Sequence, residues 1–456
     1  MKHILYISLA CFVLGITACR KYVEIPALNV KELKNTKDYQ ALLNNGSGLI
    51  EKAYYYPVWS SDDAGSDNLT WQNAQIPVNG YAYTWAPKFY SDLEDDRDWA
   101  DMYKTMYTLN SIITDVMQSE GGTEAEKRNA YTQAQVHRAF LYLTLVNIYA
   151  KQYDSATAAT DPGVPVLLNS SLFSSLKRWP VADVYGQILK DLQEALPNLP
   201  DQPDNVTYPA KGAAYAILAK TYLDMRAFSN AKLYADSALQ LKSTLIDLNA
   251  YITNVTSFPH KINDPEIILS KVTDQIPLSV PLSTELVTLL GTKDLRYQVY
   301  TKDGVSIPPA NYTNRGYMKH RILNEGTFVG PGVPEMMLIK AECEARAGNA
   351  SVAVSILNTL RKKRFTPTDY ADLTATTGAD ALKLVIDERR RELMGTGARW
   401  FDQRRLQLDA GANFIRPVTR IFKGVTYTLP LGSNLYVYAI GDKYIKLNPE
   451  IEQNPR

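Results

Sequence analysis

Two stretches of this chain repeat one small-residue register. Leu218, Ala219, Tyr222, Ala231 and Ala238 fall at helical spacing within Tyr215–Leu241. Within Pro334–Arg364, Ala341 and Ala353 stand 12 residues apart, as Ala219 and Ala231 do. Alanine at such positions lets two helices approach closely. Each stretch therefore predicts a helix pair of the tetratricopeptide kind, turning at Met225–Phe228 and at Ala347–Asn349. Other segments agree: Glu124–Lys151 places Val136, Phe140, Leu143 and Ile148 near helical spacing. Ala182–Leu196 is bounded by Pro180 near its first turn and by Pro197. The expected class is mostly α, a tetratricopeptide-like helical scaffold.

Between and before these pairs the pattern changes. Segments at roughly 35–90 and 248–328 scatter Pro, Gly, Asn and Asp among short apolar runs, and read as loop-rich insertions with short helices and a little sheet. Loops on a rigid scaffold are where binding usually resides. With 45% hydrophobic and 21% charged residues the chain has the composition of an ordinary globular body. A net charge of +1 and the lack of a basic tract argue against nucleic acid as a partner.

The first insertion and its flank are rich in aromatics, with 13 between Tyr54 and Tyr107. Aromatic planes stack on the apolar C–H faces of sugar rings, and neighbouring amides and carboxylates bond the hydroxyls. Trp71-Gln72-Asn73 has that mixture. So does Tyr81-Ala82-Tyr83-Thr84-Trp85, where alternation on an extended strand would set three rings on one face. Trp71, Tyr81, Tyr83 and Trp85 are thus candidate ligand contacts, with Tyr312 and Tyr317 of the polar loop Asn311–Met318 as a second wall. The competing reading places these rings in the core, since buried and exposed aromatics look alike in sequence. Trp99, Tyr103 and Tyr107, four apart, read as core. Asp62, Asp63 and Asp67 could face calcium, but they lack the EF-hand order, and a solvated turn is the better reading. No metal or cofactor is expected.

Enzyme signatures are missing: there is no GxSxG, HExxH, phosphate loop or CxxC. His137, sitting in a helix, reads as packed, and Cys343 reads as a small core residue. Paired carboxylates leave a lipoprotein glycosidase as an alternative, and a non-binding scaffold as another.

At the N-terminus, Lys2 precedes a 13-residue apolar run, Ile4–Ile16. That suits a signal peptide and falls short of the ~20 residues of a membrane span. Ile16-Thr17-Ala18-Cys19 then has the form of a lipobox, predicting a signal over residues 1–18 and a mature body over 19–456 with lipid on Cys19. An ordinary secretory signal with a chance cysteine is the alternative.

One further block carries the most specific signal. Val385–Leu406, VIDERRRELMGTGARWFDQRRL, mixes arginines and carboxylates with Trp400-Phe401. Helical spacing would pair Glu388 with Arg391, Glu392 with Arg389, and Arg399 with Asp402, while Gly395 and Gly397 end the helix. The order Glu-Arg, Glu-Leu, Gly-x-Arg-Trp-Phe-Asp, Arg-Arg resembles the C-terminal signature of SusD/RagB-like proteins, as does the tail Gln453-Asn454-Pro455. The resemblance implies an outer-membrane, lipid-anchored and surface-exposed protein without catalytic activity. Such a protein binds a glycan or a peptide and works with a SusC-like TonB-dependent transporter. It also implies that this block is structural and that ligand contacts come from the insertions.

Overall fold

Alanine at the contact positions brings the paired helices together as expected: Ala219, Ala231, Ala238, Ala341 and Ala353 are wholly buried. The computed structural model describes residues 33–273, 280–307, 312–409, 411 and 414–456. Its scaffold runs through α1 (Arg97–Asp115), α2 (Glu124–Tyr149), α3 (Val181–Ala195), α4 (Lys211–Asp224), α5 (Phe228–Leu241), α6 (Val333–Arg346), α7 (Ala350–Arg361), α8 (Gly378–Glu392) and α9 (Ala398–Arg405). Successive helices from α1 to α8 pack on one another, and α6 also meets α8. Stacked pairs of this sort bury a continuous core that no single pair could close.

α2 is the axis of the molecule. Thr123 and Glu126 form a reciprocal cap at its start, Thr123 N donating to Glu126 Oε2 at 2.6 Å. Every residue from Thr132 to Tyr149 is buried, as expected of a helix that is covered on all sides. The C-terminal tail is stitched to its end. Asn454 Nδ2 donates to Tyr149 O and Tyr438 O, both at 2.8 Å, and Gln453 exchanges two bonds with the backbone of Ile440.

Strand is confined, among the described residues, to short antiparallel ribbons. Val418–Phe422 pairs with Val425–Leu429 through a tight turn at Lys423-Gly424, both at positive φ, 51° and 80°. That conformation matches the twist of a two-residue hairpin. The segment expected to alternate as a strand at 81–85 is instead the end of a helix, Pro77–Tyr83. Proline at its first position suits a helix start, and the resulting register sends the rings in different directions.

The arginine-rich block keeps its helices and its glycine corner but not all of its pairs. Gly395 and Gly397 take φ of 71° and 84°, and Glu388 meets Arg391 at 2.9 Å. Glu392, however, binds Arg364 and Arg296 at 2.7 and 2.6 Å. Arg389 and Arg405 clamp Asp402 at 3.1 and 2.8 Å, while Arg399 reaches Asp62 at 2.8 Å. Pairing along one helix surface is weak. These charges are buried, so each takes the partner that tertiary packing delivers. Asp62 and Asp63 accordingly face Arg399 and Arg390 and do not form the solvated turn expected. Among the described residues no group of His, Cys, Asp or Glu is placed to hold a metal.

The predicted signal and Cys19 lie outside the described residues, as does Asn311. No helix among the described residues is long and apolar enough to cross a membrane.

Candidate ligand-binding site

A cavity of about 120 Å³ opens where the scaffold meets the second insertion. α2 contributes Phe140, Thr144 and Asn147 to it, and α4 contributes Lys220 and Asp224 from its last turns. The second insertion adds Asp264, Glu266, Tyr300, Tyr317 and Lys319. The opposite wall is the arginine-rich block itself, through Arg389, Glu392, Thr396, Phe401, Asp402 and Arg405. Aromatic planes come from Tyr54, Tyr300, Tyr317, Phe328 and Phe401, with Tyr54 and Phe401 edge to face at 5.1 Å. Lys319 Nζ sits 4.5 Å above the Tyr300 ring, a cation–π contact.

Ion pairs hold the polar wall in place. Arg405 spans both Glu342 oxygens at 2.6 and 2.7 Å, and Lys220 pairs with Glu335. Burial alone would raise Glu392 and Asp402. Arg364 and Arg296 outweigh it for Glu392, which is held at about 2. Arg389 and Arg405 hold Asp402 well below the usual carboxylate range. Asp224 behaves in the opposite way. Burial pushes it up to about 6, against the pull of Arg405 and Lys220. It accepts one bond from Asn147 Nδ2, at 3.0 Å, and forms no ion pair among the described residues.

Two buried donors on the cavity wall have no hydrogen-bond partner, Arg389 Nη1 and the Tyr300 hydroxyl. Buried polar groups are usually satisfied. The half-buried Asp224 carboxylate, with a single side-chain partner and aromatic rings on the same wall, forms a surface suited to a polyhydroxylated ligand. Cys343 is buried and its thiol is pushed up to about 12, mainly by burial, and burial holds the packed His137 well below its ordinary value.

Of the rings singled out by sequence, only Tyr317 lines this cavity. Trp71, Tyr83 and Trp85 are buried in an aromatic cluster beneath the Val418–Leu429 hairpin. There the Arg420 guanidinium lies 4.1 Å from the Tyr83 ring centre and 4.5 Å from that of Trp85. Their faces are thus already engaged by protein. Tyr312 is buried against Gly304, whose absent Cβ leaves room for its ring. Tyr81 is 44% exposed on the outer surface. Trp99 is core as expected, but Tyr107 is 47% exposed. Missed were Tyr54, Asn147, Lys220, Asp224, Tyr300 and Phe401. Most of these lie on scaffold helices or short apolar runs, where their spacing marks them only as packing residues.

Comparison with known proteins bears on this geometry. Residues 27–223 match a family model described as starch-binding associating with outer membrane, and residues 333–456 match the SusD family. Among solved structures, a SusD superfamily protein from Bacteroides thetaiotaomicron is 20% identical, with a TM-score of 0.72, covering 92% of this chain and 100% of its own. A SusD-like carbohydrate-binding protein from Bacteroides vulgatus is 22% identical, at 0.70, covering 92% and 97%. A laminarin-binding SusD-like protein is 19% identical, at 0.65, covering 92% and 99%. At such identities the likeness is one of fold. No functionally curated protein matches the sequence.

Proposed function

The chain belongs to the SusD/RagB-like family, and on that premise we propose that it captures a glycan in the cavity between scaffold and second insertion and passes it to a SusC-like TonB-dependent transporter. The observation that carries this reading is the wall itself, aromatic rings interleaved with the half-buried carboxylate of Asp224 and the Lys220 side chain. Ring faces would stack on the half-buried Phe401 or Phe328, beside the edge of Tyr317, and hydroxyls would meet Asp224 and Asn147. At about 120 Å³ the space is smaller than a typical drug-sized pocket. It would hold one end of an oligosaccharide, with the remainder running out over the surface. The family's printed association with starch binding and the laminarin-binding neighbour favour a glucan over other glycans. Binding here involves no chemistry on the ligand. The protein is held at the outer face of the outer membrane by lipid on Cys19, with residues 1–18 removed as its signal.

The chain from residue 20 onward should be titrated by calorimetry with malto- and laminari-oligosaccharides and with short peptides. Saturable binding to one glucan series, without new reducing ends, is the expected result. Binding to peptides alone would move the protein to the peptide-binding branch of the same reading. New reducing ends would instead make it a glycosidase.

A further inference from the structure

A second cavity, of about 60 Å³, lies beside the first. The two share a wall made by Asp264, Ile267, Tyr317, Lys319 and Phe328. Asp264, Ile267 and Tyr317 are buried, whereas Lys319 and Phe328 are half-buried and form the accessible part of that wall. Backbone pairing fixes one of them: Phe328 pairs with Val272, and Thr327 with Thr273, in an antiparallel ribbon. Gly326 leads into this ribbon at φ 82°, and a Cβ there would lie 2.7 Å from Thr273 O, so the close approach needs glycine. Lys319 is placed by aromatic rings. Its ammonium lies 4.5 Å from the ring centre of Tyr300, which lines the first cavity, and 5.6 Å from that of Phe258, which lines the second. Glu266 and Glu392, the carboxylates whose fields it shares, are bonded to Arg364. Lys319 itself makes no ion pair or hydrogen bond among the described residues, so its three N–H donors are uncommitted.

We propose that the second cavity is a further subsite for the same glycan, which crosses from one cavity to the other over Phe328 while Lys319 bonds hydroxyls on both sides. This subsite rests on the glycan capture put forward above, and gives the course the ligand takes away from Asp224. The chemistry of the lining selects a neutral sugar. Pro259, Ile322, Leu323 and Phe328 are half-buried there and offer apolar area to the C–H face of a ring. Glu325 supplies acceptors. Its carboxylate is held by His260 Nδ1 at 2.9 Å and by Lys261 N at 2.8 Å, and each oxygen keeps a further lone pair. The Lys261 ammonium is already committed, to both oxygens of Glu51 at 2.9 and 2.8 Å. A hydroxyl can accept from Lys319 and donate to Glu325. An anionic group would instead meet Glu325 and Asp264, and a cationic one would meet Lys319. Once one sugar is seated in the first cavity, its neighbour is presented to the second at high effective concentration. Added length should therefore tighten binding.

The test is calorimetry of the chain from residue 20 onward, which contains the entire described fold, with maltose, laminaribiose and the corresponding tetrasaccharides. In the preferred series the tetrasaccharide should bind the wild-type chain at least tenfold tighter than the disaccharide. Leu323→Trp, which fills the second cavity, should bring that ratio to within threefold of unity and leave disaccharide affinity unchanged. Lys319→Met keeps the stem beside the rings, removes the ammonium and should reduce the ratio at least threefold. Thermal melts identify the variants that fold. Lys319 holds no ion pair, so Lys319→Met carries the test should Leu323→Trp not fold. A smaller wild-type ratio, or the wild-type ratio retained in either folded variant, overturns the second subsite and leaves capture in the first cavity standing. Absence of binding in both series at both lengths overturns the two together.

Discussion

At the level of single residues, the cavity wall balances opposite electrostatic tendencies. Glu392 lies between Arg364 and Arg296, with both guanidiniums fully buried. Removing its charge by Glu392→Gln leaves them short of a counter-ion and should cost about 3–5 kcal/mol, read as a lower midpoint in urea. Its folded pKa is depressed, to about 2. Its stabilisation is therefore fully present above the ordinary carboxylate range and is lost as pH falls through that range toward 2. A loss of roughly 3 kcal/mol is expected on full titration, smaller in Glu392→Gln. Asp224 has the reverse sign, its pKa raised to about 6 by burial. Its contribution is intact below the ordinary carboxylate value and is lost as pH rises past 6. Asp224→Asn should consequently raise the thermal midpoint at pH 8 and leave it nearly unchanged at pH 4. A carboxylate retained at such a disadvantage is consistent with a ligand contact.

Among the structural elements, the glycine corner between α8 and α9 links packing to the site. Gly395 has φ of 71°, and a Cβ there would lie 2.4 Å from the Tyr317 ring. Gly395→Ala combines backbone strain, about 1–2 kcal/mol for a left-handed residue, with displacement of a cavity wall. It should lower stability and weaken ligand binding together. The same corner shows how far the sequence could be read. The helix register, the caps and the glycines follow from local chemistry, so the helices were legible to within about four residues at their ends. The partners of the arginines were not, because Asp62, Arg296 and Arg364 arrive from distant segments. The burial of the aromatics has a related cause. Trp71, Tyr83 and Trp85 have the composition of a sugar platform, yet the hairpin carrying Arg420, more than 300 residues away in sequence, covers them.

On the scale of the whole molecule, the repeated alanine register anticipated the stacked helix pairs, and the arginine-rich block anticipated the family. The block's place in the molecule was less evident: besides bracing the scaffold, it forms one side of the cavity through Arg389, Phe401 and Asp402. Position in a folded cleft depends on how the second insertion crosses the scaffold, which no local pattern encodes. The measurement that bears most directly on glycan capture is calorimetry of Tyr317→Ala and Asp224→Asn against the best-bound oligosaccharide, beside Trp71→Phe and the wild-type chain. Losses of at least tenfold in affinity for the first two, with Trp71→Phe near wild type and all chains folded, are predicted. Unchanged affinity in both cavity variants would contradict the account and place the ligand elsewhere on the surface.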